Sequence, residues 1–196
     1  MGFFDKLFGK KKVQFTPTHE ALEESKFWSL IHTSYASAGG DYEKQQTELE
    51  KELKKLSADD IIRFSNQYYK LKEHAYTWEL WGAIYLMQGG CGDDDFDYFR
   101  DWVLAQGKDF FYKTVSDPES LVEVDEARVF VEWEGLSYVA FKVFEELTGQ
   151  SMPIPDFPDY DENEGSDEED GPRGKEWDDD DLESMFPKLN AKYGSS

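Results

Sequence analysis

Cysteine is nearly missing from this chain of 196 residues, and Cys91 stands alone. No intrachain disulfide can form, which fits a reducing cytoplasm as the expected compartment. Long apolar runs are missing too: none approaches the ~18 residues a membrane span requires. The start lacks the apolar region and small-residue cleavage site of a secretory signal. His19, His32 and His74 are widely separated, so no zinc ligand set emerges beside one thiol. No serine or cysteine sits in a recognisable nucleophile elbow. These absences leave no metal and no cofactor to expect.

Positive charge is scarce as well: 21 Lys and Arg face 43 Asp and Glu, a formal net charge of -22. Its distribution is uneven. Met1–Lys12 carries four Lys against Asp5, whereas Val13–Pro155 holds 27 acidic and 13 basic residues. Asp156–Glu183 holds 15 acids against Arg173 and Lys175. Such a surface repels nucleic acid phosphates and favours basic protein partners, or simply keeps a cytosolic protein soluble. No basic stripe with interleaved aromatics argues for nucleic acid binding.

What is abundant is aromatic: 16% of residues, with six Trp, eleven Tyr and fifteen Phe, enough for a sizeable core. Their spacing is helical. Phe27, Trp28, Ile31 and Tyr35 mark one helix that Gly39-Gly40 stops, and Asp41 caps the next, striped by Leu49, Leu53 and Leu56. Ser57 with Asp60 resembles a capping box opening a helix with Ile61, Phe64, Tyr68, Leu71 and Ala75 inward. Another helix spans Thr77 to Met87, then one follows with Phe96, Phe99, Trp102 and Val103, and a shorter one with Phe110, Phe111 and Val115. Arg128–Gly149 reads as a long helix with Phe130, Trp133, Leu136, Val139, Val143, Phe144 and Leu147 in the core. The expected fold is all-α, a single domain of about six to eight helices over residues 24–150.

Two segments differ in kind. Residues 1–18 form a basic amphipathic start and linker, in which Phe3, Phe4, Leu7 and Phe8 precede Lys10, Lys11 and Lys12; a partner-docking tail and weak membrane-surface contact both fit. Residues 151–175 are an acidic, proline-rich, low-complexity linker. Within it, Asp159-x-Asp161-x-Asn163 misses a calcium loop because Glu164 occupies the glycine position. Beyond it, Trp177, Leu182, Met185, Phe186 and Leu189 restore apolar anchors, so residues 176–193 are expected to form a short helix docked back on the domain.

The candidate site is the corner between the fourth and fifth helices: Gly89-Gly90-Cys91-Gly92-Asp93-Asp94-Asp95, with Asp97 and Arg100 following. Close carboxylates could hold a divalent cation, one could act as a general acid or base, and exposed glycines could admit a partner. The corner could equally be architectural, one Asp capping the helix and the rest favouring its dipole, with Arg100 paired to Asp97. Asp93-x-Asp95-x-Asp97 fails as a calcium loop, with Tyr98 and Leu104 where Gly and Glu are needed.

Phe27-Trp28-x-Leu30-Ile31, Gly40-Asp41, Leu80-Trp81-Gly82-Ala83 and Gly89-Gly90-Cys91-Gly92-Asp93-Asp94-x-Phe96-x-Tyr98-Phe99-Arg100-x-Trp102 recur together here, with Asp117-Pro118-x-Ser120-Leu121. Glu176-Trp177-Asp178, Asp181-Leu182 and Phe186-Pro187-Lys188-Leu189 complete the set. By these motifs the chain resembles an uncharacterised bacterial family, domain of unknown function 4240, a resemblance that implies no activity. The expectation is therefore a cytoplasmic, non-enzymatic, acidic protein-binding module, of inhibitor or immunity type, using Asp93, Asp94, Asp95, Asp97 and Arg100 toward a basic partner. The alternatives are an enzyme built on the same corner with Arg100, or a membrane-recruited adaptor using residues 3–12.

Overall fold

Helix punctuation in this chain is chemical, and the computed structural model, which describes residues 13–125, 133, 135–154 and 171–194, shows it at each junction. Helix α1 (Glu24–Ala38) ends on Gly39 in the left-handed conformation. The Asp41 side chain accepts the Lys44 N–H at 2.9 Å to open α2 (Tyr42–Leu53). Ser57 accepts the Asp60 N–H at 3.1 Å to open α3 (Ala58–His74). Asp60 does not return the cap, because its carboxylate pairs with Lys26 and Arg63. Thr77 accepts the Leu80 N–H at 3.2 Å before α4 (Trp78–Gln88). Helices α5 (Asp93–Ala105) and α6 (Lys108–Ser116) meet at Gly107, whose φ of 99° suits glycine.

A 3-10 helix, Pro118–Glu123, follows, and then α7 (Gly135–Thr148). The long helix expected from Arg128 therefore starts later. Trp133 precedes it, buried with its ring 5.6 Å from Tyr42, and Phe130 lies outside the described residues. Leu147 was expected inward but is 49% exposed, since the buried stripe of α7 stops at Phe144, where Phe15 closes it edge-on at 5.0 Å. The apolar-basic start, Met1–Lys12, also lies outside the described residues.

Among the described residues all regular elements are helical, and the chain is all-α. Helix α1 packs against α2, and α7 packs against α2 and α3. Helix α5 meets α3, α6 and α7. The core is aromatic: Phe27 stacks on Phe64 at 4.8 Å and Phe99 on Trp102 at 5.6 Å, all buried. Burying each such ring contributes about 1.5–3 kcal/mol.

The C-terminal segment is two helices, α8 (Asp179–Met185) and α9 (Pro187–Tyr193), because Pro187 lacks the N–H that would continue α8 and instead starts α9. They pack on α4, and α9 also meets the 3-10 helix, burying Leu182, Phe186 and Leu189. Arg173 reaches α4 first: its N–H donates to the Tyr76 carbonyl and its carbonyl accepts from Trp78 N–H. Gly82 permits the close fit. A Cβ there would sit 2.9 Å from both Leu182 Cδ2 and Trp177 Nε1. Among the described residues no helix is long and apolar enough to cross a membrane.

Candidate functional site

The glycine corner is held from beneath. Gly89 and Gly90 take φ of 66° and 141°, which side-chain-bearing residues avoid, and the Trp81 indole N–H donates to the Cys91 carbonyl at 2.9 Å. Cys91 is buried, and desolvation with the nearby Asp95 charge pushes its thiol up to about 12. Asp95 turns back to accept the Gly92 N–H at 3.1 Å, so this carboxylate caps α5. Asp93 and Asp94 are different. Both are exposed in the first turn of α5 and, among the described residues, have neither a hydrogen bond nor an ion pair.

One and two turns further, α5 points acids inward. Asp97, Arg100 and Asp101 share a face by their i, i+3, i+4 spacing, opposite Tyr68 and Lys72 on α3 and Ser137 on α7. Lys72 Nζ donates to Asp97 at 2.6 Å and lies 3.0 Å from Asp101. Asp101, with no exposed surface, also accepts from the Tyr68 hydroxyl at 2.5 Å and from Ser137 at 2.6 Å. Arg100 pairs with Asp97 at 2.8 Å and donates to the Lys72 carbonyl at 3.2 Å. Its guanidinium lies 4.5 Å from the Tyr76 ring centre and 5.1 Å from that of Phe96.

Burial dominates the titration here. It raises the Asp101 carboxyl above its ordinary range, against the opposing pull of Lys72 and the two hydroxyl donors. The Tyr68 phenol is raised by burial and by Asp101 beside it, so it stays protonated and donates. Tyr68, Lys72 and Ser137 together could suggest proton-transfer chemistry. Their arrangement instead spends each polar atom inside the cluster: Lys72 on two carboxylates, Tyr68 and Ser137 on the same Asp101.

Two clefts open over this cluster and share Asp97 and Arg100 as a dividing ridge. The larger, about 580 Å³, lies between α3 and α7 under Tyr69, Tyr138 and Phe141. The smaller, about 250 Å³, has Tyr76, Trp81 and Phe96 as walls and Asp93 and Asp94 at its rim. Among the described residues no group of three or more His, Cys, Asp or Glu is placed to hold a metal ion.

Of the five residues singled out in the sequence, Asp93 and Asp94 are exposed and unengaged, Asp95 caps, and Asp97 and Arg100 form the ridge. Lys72, Asp101, Tyr68 and Ser137 were missed. Their signal existed as the i, i+4 pairs Tyr68/Lys72 and Asp97/Asp101, but a charged helix position reads as solvent-facing until a partner helix is known.

A family model described as "Protein of unknown function (DUF4240)" matches residues 22–146. The chain belongs to this family. Every residue lining the two clefts falls inside the DUF4240 region, whereas Arg173 and helices α8 and α9 lie beyond it. No curated protein and no solved structure matches the chain.

Proposed function

We propose that this DUF4240 protein is a non-enzymatic, cytoplasmic binding module that captures a basic protein, as an inhibitor or immunity-type protein does. One observation carries the reading: among the described residues Asp93 and Asp94 stand exposed and unpaired beside a glycine corner, at the rim of an aromatic-walled cleft. Unpaired carboxylates on a fixed helix end steer a cationic partner and need little ordering when it arrives. The net charge of -22 extends the same field over the surface. The neighbouring cluster favours binding over chemistry, since its charges are matched internally and Tyr68 is held protonated.

The test compares the wild-type chain with Asp93→Asn/Asp94→Asn. Proteins retained by each at low salt are identified, and the recovered partner is purified and titrated by calorimetry at two salt concentrations. The expected result is a basic partner bound 1:1, more weakly as salt rises and more slowly by the double variant. Recovery of no basic protein, or equal binding by the variant, overturns the reading.

A further inference from the structure

Trp78, Trp81 and Trp177 meet where α4 begins, between the C-terminal segment and the smaller cleft. The Trp81 ring, one wall of that cleft, is held between Phe96 at 5.0 Å and Trp78 at 5.5 Å, with planes only 12° and 8° from parallel. Trp78 in turn is met edge-on by Trp177 at 6.2 Å and 89°. The Trp177 indole N–H donates to the Trp78 carbonyl at 2.8 Å, so Trp177 fixes both the ring and the backbone of Trp78. A ring stacked on both faces turns only when a neighbour turns, and Trp177 removes that freedom from Trp78.

Arg173 acts on the opposite wall. Its backbone N–H donates to the Tyr76 carbonyl at 3.0 Å and its carbonyl accepts from the Trp78 N–H at 2.9 Å. Its guanidinium donates to the His74 carbonyl. These bonds fix the turn between α3 and α4 that carries Tyr76, whose ring lies 4.5 Å from the Arg100 guanidinium. Arg173 and Trp177 both lie outside residues 22–146, although the cleft they support lies inside that range. Trp81 also donates its indole N–H to the Cys91 carbonyl, so its orientation reaches the glycine corner beside Asp93 and Asp94.

We propose that Arg173 and Trp177 are positioning residues of the smaller cleft: docking of the C-terminal segment sets Tyr76 and Trp81, and through Trp81 the corner that presents Asp93 and Asp94. The assignment rests on the binding role proposed for that corner and adds what holds it in a binding-competent shape. By linkage, a cation seated at the corner strengthens docking of the segment by the same factor by which docking strengthens its binding.

The test compares the full isotope-labelled chain with Trp177→Ala, Trp177→Phe and Arg173→Ala by NMR. One readout needs no ligand: hydrogen exchange of the Trp81 indole N–H, which is bonded to the Cys91 carbonyl. It is expected to exchange about tenfold faster in Trp177→Ala and in Arg173→Ala, while the amides of α1 to α3 stay unchanged. Trp177→Phe keeps the edge-on ring and is expected to restore most of the protection. Arg173 is an exposed position, which covers a folding failure of the tryptophan variant. The other readout is titration with tri-lysine amide, followed at the Asp93 and Asp94 amides, with affinity about threefold lower in both alanine variants. Arg173→Ala separates positioning from long-range charge, because removing a cation would by itself tighten binding of tri-lysine. Unchanged indole exchange in both alanine variants, acceleration spread evenly over α1 to α3, or equal or tighter tri-lysine binding by both overturns the proposal. If the indole loosens as expected while the wild-type chain does not bind tri-lysine at the corner, the positioning role stands and the capture role falls.

Discussion

Asp101 is a carboxylate with no exposed surface whose desolvation is offset by one ammonium, one phenol and one hydroxyl. Removing it strands Tyr68 and Ser137 in a buried space. Asp101→Ala is therefore expected to cost about 3–5 kcal/mol in urea unfolding, and a loss under about 1 kcal/mol would show that the cluster contributes little to stability. Asp60 behaves oppositely toward acid. Hydrogen bonding and attraction from Lys26, then Arg63, lower its carboxyl below the ordinary 3.8, although partial burial works the other way. A depressed folded value stabilises above 3.8 and is lost as pH falls through that folded value. Asp101, raised by burial, has the other sign: its proton binds the folded state more readily, so it does not drive acid unfolding. The stability gap between wild type and Asp60→Asn is thus expected to be widest near neutral pH and to close in strong acid, read from urea midpoints across pH. Cys91 supplies a third check. With its thiol pushed up to about 12 and buried, alkylation by iodoacetamide at mildly alkaline pH is expected only after unfolding.

At the scale of elements, the helix boundaries from α1 to α4 were legible because those caps are local chemistry. Asp41, Ser57, Thr77 and Gly39 act within four residues of themselves, so a single sequence contains the whole cause. The inward stripe Ile61, Phe64, Tyr68, Leu71, Ala75 was legible for the same reason, a period set by one helix. Leu147 was misjudged and Asp101 passed over because their burial depends on which helices lie across theirs, and the period of α5 or α7 contains no such information. The candidate corner divided the same way: Asp95 as a cap is local, whereas the Lys72–Asp97–Asp101 cluster joins α3 to α5. Gly82 tests how closely the C-terminal segment fits. Gly82→Ala places a methyl 2.9 Å from Leu182 and Trp177, and relieving it is expected to cost about 1–3 kcal/mol locally. Proteolysis within residues 171–194 would accelerate while α1 to α3 stay resistant. Uniform cleavage of the chain would instead mean that α8 and α9 do not open as a separate unit.

Over the whole molecule, charge acts with two signs. An excess of -22 repels itself across a compact body, so screening it stabilises the fold, while the same screening weakens capture of a cation. The local ion pairs oppose the first trend. Lys26–Asp60, Arg63–Glu20, Lys54–Glu146 and Lys142–Glu50 are surface pairs that salt also weakens. Each such pair contributes only a fraction of a kcal/mol. With 43 acids against 21 Lys and Arg, most carboxylates have no cation to pair with, and Asp93, Asp94 and Asp180 are among the exposed ones. Self-repulsion should therefore win. Raising sodium chloride from about 20 to about 300 mM, which shortens the screening length several-fold, is expected to raise Tm by a few degrees in a thermal melt. Asp93→Asn/Asp94→Asn should flatten the salt dependence of Tm, because two exposed charges are removed, while the lost attraction of both carboxylates to the N-terminal end of α5 offsets the gain from reduced repulsion. A Tm that falls with salt would mean that the paired network governs this surface. The acidic corner would then be held by internal attraction and could not present the outward field on which capture of a basic partner depends.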